Sequence, residues 1–251
     1  MLFLRSLAFN ILFYLNLIAF VVFGSWLLLL PRSWAMQGLK TWSRSSLWWL
    51  EVIAGIDFEL RGAENLPKGA ALVAGKHQSM WETVALYPLF DDPTIVLKRE
   101  LMWLPLMGWF AKKFGMLPID RAAGGPALKR LLRRAEEAAR AGRQIIIFPE
   151  GTRRAPDAPP DYKAGATALY LRLGVPCVPF ALNSGLFWPR RSFWRRPGTI
   201  VVEFLPTIPP GLSRHAFESK LKEAIEPATA RLVAEARRRP LERSGTEGSR
   251  D

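Results

Sequence analysis

Cysteine and histidine are scarce in this sequence. Its 251 residues contain one cysteine, Cys177, and two histidines, His77 and His215. A single cysteine excludes an internal disulfide and any cysteine-based metal cluster, so the chain suits a reducing compartment and no metal site is predicted. A histidine-based reaction would have to use one of only two side chains.

Acidic residues are also in deficit, because 22 Asp and Glu oppose 35 Lys and Arg, which gives a formal net charge of +13. This excess predicts an anionic partner, whether nucleic acid, an acidic lipid surface or a phosphorylated substrate. Charge alone does not distinguish these three. With 49% hydrophobic residues, the chain has enough material for the core of one α/β domain and a small appendage.

Charge is absent from residues 6–30, which are long enough to reach across most of a bilayer's hydrocarbon core. A cleaved signal peptide is the alternative, but the stretch is longer than a typical signal core and no small-x-small site precedes Pro31. We therefore expect retained membrane attachment through residues 1–55.

Residues 33–55 carry four tryptophans together with Lys40 and Arg44, a composition typical of a membrane interface. Two topologies stay open: one true span, or two helices in one leaflet, which this basic, Trp-rich segment favours slightly. The Lys and Arg excess after residue 31 predicts that the main domain lies on the cytoplasmic side of the inner membrane.

From residue 56 the pattern changes to short apolar runs that alternate with helical periodicity, which predicts an α/β domain over 56–239. The helical stretches are clearest over 126–141 and 213–239, and residues 240–251 are expected to form a flexible tail. The predicted strands are 57–61, 71–75, 94–97, 116–119, 144–148, 175–182 and 200–204.

His77 follows the predicted strand 71–75, and ligand sites of α/β sheets gather where strands end. A helix beginning near Ser79 would bring Glu82 within reach of the imidazole. The carboxylate would fix one ring nitrogen and leave the other free to accept a proton. A histidine and an acid at this spacing also occur by chance, so the pair alone is a weak signal.

A second group of polar residues follows the apolar strand 144–148 and has the chemistry of a phosphate-binding loop. Glycine permits a close backbone approach, threonine supplies a hydroxyl, and arginine offers a planar fork of donors. Further cations lie at the ends of the predicted strands 94–97 and 116–119. The loop residues are Glu150, Gly151, Thr152 and Arg153, and the cations are Lys98, Arg99 and Arg121.

The aromatics between these cations, Trp103, Trp109 and Phe110, are expected to be core residues. Cys177 is likewise expected to pack in the core, because no feature of its surroundings would lower its thiol pKa.

Four blocks in order, HQSMWE, KRELMWLPLMG…PIDR, FPEGTRR with YKAGA behind it, and VPCVPFALNSG, resemble the glycerolipid acyltransferase family. The resemblance covers residues 72–185, and an ordered set is more specific than any single motif. It implies a mixed sheet flanked by helices behind an N-terminal membrane-embedded helical segment. One position departs from the family pattern, since Glu82 stands where the family usually has aspartate.

The resemblance also implies an activity: a fatty acyl group moves from acyl-CoA or acyl carrier protein to the sn-2 hydroxyl of lysophosphatidic acid. His77 would act as the base, and Glu150–Arg153 with Lys98, Arg99 and Arg121 would hold the acceptor phosphate. No cofactor is implied, and the expected partners are a membrane lipid acceptor, the acyl donor and an anionic membrane surface.

Alternatives within the same chemistry are another lysophospholipid, glycerol 3-phosphate or a lyso-ornithine lipid as acceptor. A lipid hydrolase, which would release free fatty acid without an acceptor, is a different enzyme class. A non-enzymatic protein that binds anionic lipid or nucleic acid is a remote alternative, because it would leave the ordered motifs unexplained; no nucleic-acid partner is expected.

Overall fold

The computed structural model describes residues 1–120 and 123–245, with side chains described through residue 238. The α-helices within these residues are α1 (Leu2–Phe23), α2 (Arg32–Trp49), α3 (Glu82–Ala85), α4 (Met107–Lys113), α5 (Gly124–Arg140), α6 (Ala164–Leu173) and α7 (Arg214–Gly245). The strands are β1 (Ile56–Arg61), β2 (Ala71–Gly75), β3 (Pro93–Lys98), β4 (Leu117–Ile119), β5 (Gln144–Ile147), β6 (Cys177–Leu182) and β7 (Gly198–Phe204). All seven predicted strands are confirmed, with ends that move by at most two residues.

The seven strands form one mixed sheet in the order β1-β7-β6-β2-β5-β3-β4. Every neighbouring pair is parallel except β6 and β7, which run antiparallel. The carboxyl ends of β2, β3, β4, β5 and β6 therefore meet along one edge. The predicted α/β class with a mixed sheet is confirmed.

Both faces of the central strands are covered, which explains their uninterrupted apolar sequences. Leu72 and Ile145 pack in a cluster with α5, α6 and α7, whereas Val73 and Ile146 point into a second cluster with the N-terminal helices. On α5, the apolar residues of one stripe, including Leu131, are buried and the arginines face solvent, as its periodicity predicts.

The N-terminal helices belong to the same core as the sheet. Phe9 and Phe13 of α1 are buried in the cluster that contains Val73 and Trp81. The uncharged stretch 6–30 is not one helix, because α1 ends at Phe23 and a short 3₁₀ turn follows. Among the described residues, α1 is the one helix that is long and apolar enough to cross a membrane.

Polar side chains fasten α1 to the rest of the protein. The Arg195 backbone N–H donates to Ser6 Oγ at 2.9 Å, and its guanidinium donates to Asn10 Oδ1 at 2.7 Å. Further along, Asn16 Nδ2 lies 3.0 Å from the hydroxyl oxygen of Ser46 on α2. The helix consequently lies along the domain, while its opposite face exposes Ile11, Leu15, Ile18 and Val22.

One predicted helix is longer than expected, and one prediction about aromatic residues is corrected. Helix α7 continues to Gly245, six residues beyond the predicted helix 213–239. Residues 246–251 lie outside the described residues, and the flexible tail over 240–251 stays a prediction. Of the aromatics expected in the core, Phe110 is buried, but Trp103 and Trp109 are exposed.

Candidate active site

Two loops meet at the carboxyl edge of the sheet because β2 and β5 are parallel neighbours. His77 lies two residues beyond β2, and Glu150 lies three residues beyond β5. The backbone N–H of Arg154 donates to the carbonyl oxygen of His77 at 2.8 Å, which joins the two loops. The sheet thus brings the loop that carries His77 next to the predicted phosphate-binding loop 150–153.

His77 lies against Glu82 and Phe148. Its Nδ1 is 3.8 Å from Glu82 Oε2, longer than a normal hydrogen bond, and the imidazole stacks on the Phe148 ring with centroids 4.0 Å apart. Glu82 begins α3, so the helix starts at this residue and not near Ser79 as predicted. Nδ1 faces the carboxylate, and in a histidine–carboxylate pair of this kind the other ring nitrogen is the one that exchanges a proton with a substrate.

Hydrogen bonds hold the buried Glu82 carboxylate in place. Oε1 accepts from the backbone N–H of Gln78 at 2.8 Å, from that of Ser79 at 3.0 Å and from the hydroxyl of Ser184 at 2.8 Å. Burial raises the pKa of Glu82 to about 7, against the lowering effect of these donors. A carboxyl with this pKa exchanges protons near neutral pH, where an imidazole also titrates.

The raised pKa of Glu82 predicts a pH dependence of stability. In the unfolded chain this carboxyl titrates near 4.5, so the native state holds an extra proton between pH 4.5 and about 7. The free energy of unfolding should therefore fall as pH rises through that window. The measurement is the melting temperature from pH 4.5 to 7.5. Its fall with rising pH should be smaller in Glu82→Gln than in the wild type, and unchanged in the control Glu136→Gln. Equal pH dependence in both variants would contradict the raised pKa of Glu82.

Glu150 occupies a position different from the predicted one. Its side chain is buried, and Oε1 accepts from Lys76 Nζ at 3.0 Å. Lys76 also contacts Glu226 of α7 at 3.0 Å, and the Tyr162 hydroxyl donates to the same Glu226 oxygen at 2.8 Å. A buried carboxylate that is paired with a lysine carries a negative charge and is not exposed to a ligand, so it is a poor ligand for a phosphate. This geometry disfavours the predicted contact of Glu150 with the acceptor phosphate.

The remaining loop residues lie at and beyond a sharp turn of the chain, and their contact with a phosphate stays a prediction. Gly151 has a φ of +66°, and its N–H donates to the Phe148 carbonyl at 2.8 Å, so the chain turns sharply there. Thr152 and Arg153 are half-buried beyond this turn. The Arg153 carbonyl accepts a hydrogen bond from Arg190 at 2.8 Å, which brings a second cation beside the loop.

Lys98 and Arg99 lie at the same edge as His77 but two strands away, about 10 Å at ordinary strand spacing. Both are exposed, and Arg99 pairs with Asp120 at 3.0 Å. Arg121 lies outside the described residues. The phosphate contacts of these three cations stay predictions.

Several residues at the site were not identified from the sequence. Ser184 follows β6 and donates a hydrogen bond to Glu82, which is 102 residues away in the sequence. The backbone N–H of Gly185 donates to the side-chain Oε1 of Gln78 at 3.0 Å. The block 175–185 was noted as a motif, but no role was assigned to its serine. Cys177 is buried and burial raises its thiol pKa, in agreement with packing and against a nucleophile.

The comparisons with known proteins agree with the fold. The family model "Acyltransferase" matches residues 57–183. A crystal structure of the 1-acyl-sn-glycerophosphate (LPA) acyltransferase PlsC from Thermotoga maritima superposes with a TM-score of 0.77 at 20% identity, covering 92% of this chain and 98% of that one.

Sequence relatives extend the likeness. A 1-acyl-sn-glycerol-3-phosphate acyltransferase of Pseudomonas aeruginosa is 38% identical over 170 residues, 68% of this chain and 66% of that protein. A lyso-ornithine lipid O-acyltransferase of the same organism is 32% identical over 56% of this chain and 54% of that protein. The matches span about half to two thirds of these relatives' lengths, and the family model covers just over half of this chain. The chain belongs to the acyltransferase family.

Proposed function

We propose that the protein transfers a fatty acyl group from an acyl thioester to the sn-2 hydroxyl of lysophosphatidic acid, forming phosphatidic acid. The observation that carries this proposal is the His77–Glu82 pair beside the loop that holds Thr152 and Arg153. A proton acceptor next to an anion-suited loop fits an acceptor with both a hydroxyl and a phosphate. The Pseudomonas relative with 38% identity and the Thermotoga structure are named for the same acceptor, whereas the relative with 32% identity is named for a lyso-ornithine lipid.

In this mechanism His77 Nε2 removes the proton from the acceptor hydroxyl as its oxygen attacks the thioester carbonyl carbon. The tetrahedral intermediate then collapses, the carbon–sulfur bond breaks, and the imidazolium returns the proton to the leaving thiolate. Glu82 stabilises the imidazolium between these steps. Acyl-CoA and acyl carrier protein both supply the thioester, and no cofactor is required.

The position of α1 along the domain supports attachment to one leaflet, with α1 and α2 in the interface and the sheet on the cytoplasmic side. A true span of α1 would carry its polar contacts with Arg195 and Ser46 into the hydrocarbon. Attachment would let the lipid acceptor reach His77 from the headgroup level.

The test is acyl transfer by the purified protein in vesicles, with acyl-CoA or acyl carrier protein as donor. Acceptors are compared in parallel: lysophosphatidic acid, other lysophospholipids, glycerol 3-phosphate and a lyso-ornithine lipid. The expected result is phosphatidic acid formed fastest from lysophosphatidic acid. Preference for another acceptor would overturn the acceptor assignment, and free fatty acid released without any acceptor would indicate a hydrolase.

Replacement of Arg153 tests the acceptor phosphate. Arg153→Ala should raise the KM for lysophosphatidic acid about 10- to 100-fold, the loss expected for a hydrogen bond to a charged group, with a small change in kcat. Lys129→Ala removes an exposed cation from α5 and serves as the control. An unchanged KM in Arg153→Ala would remove this residue from the phosphate site.

A further inference from the structure

The chain from the end of β3 into the first turn of α4 exposes large apolar side chains on the surface of the catalytic domain. Trp103 is 69% exposed, Trp109 is 63% exposed, and Leu101 and Leu104 are each more than 40% exposed. A soluble surface seldom places this much apolar area within nine residues. We name this stretch, residues 101–109, the aromatic segment.

The backbone of the aromatic segment makes a tight turn at Leu106. Leu106 has a φ of +59°, and the N–H of Met107 donates to the Pro105 carbonyl, a tight three-residue turn that non-glycine residues seldom adopt. At Gly108, an added Cβ would lie 2.0 Å from the Met102 carbonyl oxygen, so the backbone at Gly108 packs directly against the backbone at Met102. Trp103 and Trp109 thus lie on either side of a tight turn.

The aromatic segment adjoins α1. Phe110 follows it in α4, is buried, and stacks near Phe20 of α1 with ring centroids 5.1 Å apart. Phe23, the last residue of α1, is 78% exposed, and Trp26 is exposed in the 3₁₀ turn that follows, which contacts α4. The apolar surface of the segment therefore lies next to the exposed apolar end of α1.

Cations border the aromatic segment on both sides. The Arg99 guanidinium lies 5.8 Å from the centre of the Trp103 ring, and Lys98 is exposed next to it. Lys112 is exposed on α4 beyond the segment. Tryptophan flanked by cations is the composition that a membrane interface with anionic headgroups favours.

We propose that the aromatic segment is a second membrane-contact element, which seats Trp103 and Trp109 in the anionic lipid surface that α1 occupies. The catalytic domain would then touch the membrane directly beside Lys98 and Arg99, at headgroup level. The contact rests on the membrane attachment of α1 proposed above but not on acyl transfer, so its test does not require activity.

Site-specific labelling tests the proposal, because the one native cysteine is buried. In a Cys177→Ala background, Trp103→Cys and Trp109→Cys are labelled singly with an environment-sensitive fluorophore. Leu15→Cys on α1 is the positive control, and Lys129→Cys on α5 is the negative control. The vesicles contain phosphatidylcholine and phosphatidylglycerol, with and without lipids brominated on their acyl chains.

The expected result is a blue shift and bromolipid quenching at positions 103, 109 and 15, with neither effect at position 129. Water-like emission at 103 and 109, while position 15 responds, would overturn the proposal. A blue shift at 103 and 109 that needs no lipid and grows with protein concentration would also overturn it, because the segment would then be an interface between copies of the chain.

Discussion

Replacing His77 with alanine is expected to lower kcat for acyl transfer by about 10²- to 10⁴-fold, the usual contribution of a positioned general base. The acceptor alcohol keeps its proton in this variant, so the attack on the thioester loses its assistance. The KM should change little, because Arg153 and the edge cations are untouched. Initial rates with lysophosphatidic acid and either thioester donor measure the effect.

Two further variants make this result specific. His215→Ala removes the only other histidine, which is exposed at the start of α7, and should retain full activity. His77→Gln keeps a polar side chain against Phe148 and should be as inactive as the alanine variant, since an amide does not accept the proton. Activity near the wild-type level in a folded His77→Ala protein would contradict the assignment of the base.

The strands and the position of each polar group after a strand were predictable because they depend on local sequence. Runs such as 71–75 and 144–147 are apolar on both faces, which marks them as central strands. His77 and the loop 150–153 each follow such a strand, and parallel central strands end at one edge. Their proximity also requires that β2 and β5 be neighbours in the sheet, which no local pattern indicates.

What the sequence did not predict depends on contacts between distant residues. Ser184 meets Glu82 across 102 positions, and Lys76 meets Glu226 across 150, and no local pattern marks either pair. Trp103 and Trp109 were expected in the core because apolar composition is the same for a buried position and for one that faces lipid. Only the packing separates the two cases.

Replacing Lys76 with methionine is expected to destabilise the protein by about 3–5 kcal/mol, as when one partner of a buried ion pair is removed. Lys76 and Glu150 are both almost fully buried, and the next cation, Arg154 Nε, is 3.8 Å from the Glu150 carboxylate. The variant leaves that charge without its nearest partner. Because Lys76 directly precedes His77, kcat should fall as well.

A second substitution separates the lost ion pair from lost packing. In Lys76→Met with Glu150→Gln the almost fully buried partner of Lys76 is neutral, and the other partner, Glu226, is 28% exposed to solvent, so much of the stability should return. Denaturant unfolding of both single variants and the double variant measures the coupling. Arg172→Met breaks the more exposed pair with Glu136 and should cost about 1 kcal/mol or less. If the loss of unfolding free energy in the double variant equalled the sum of the losses in the two single variants, Lys76 would stabilise the protein through its packing alone and not by neutralising Glu150.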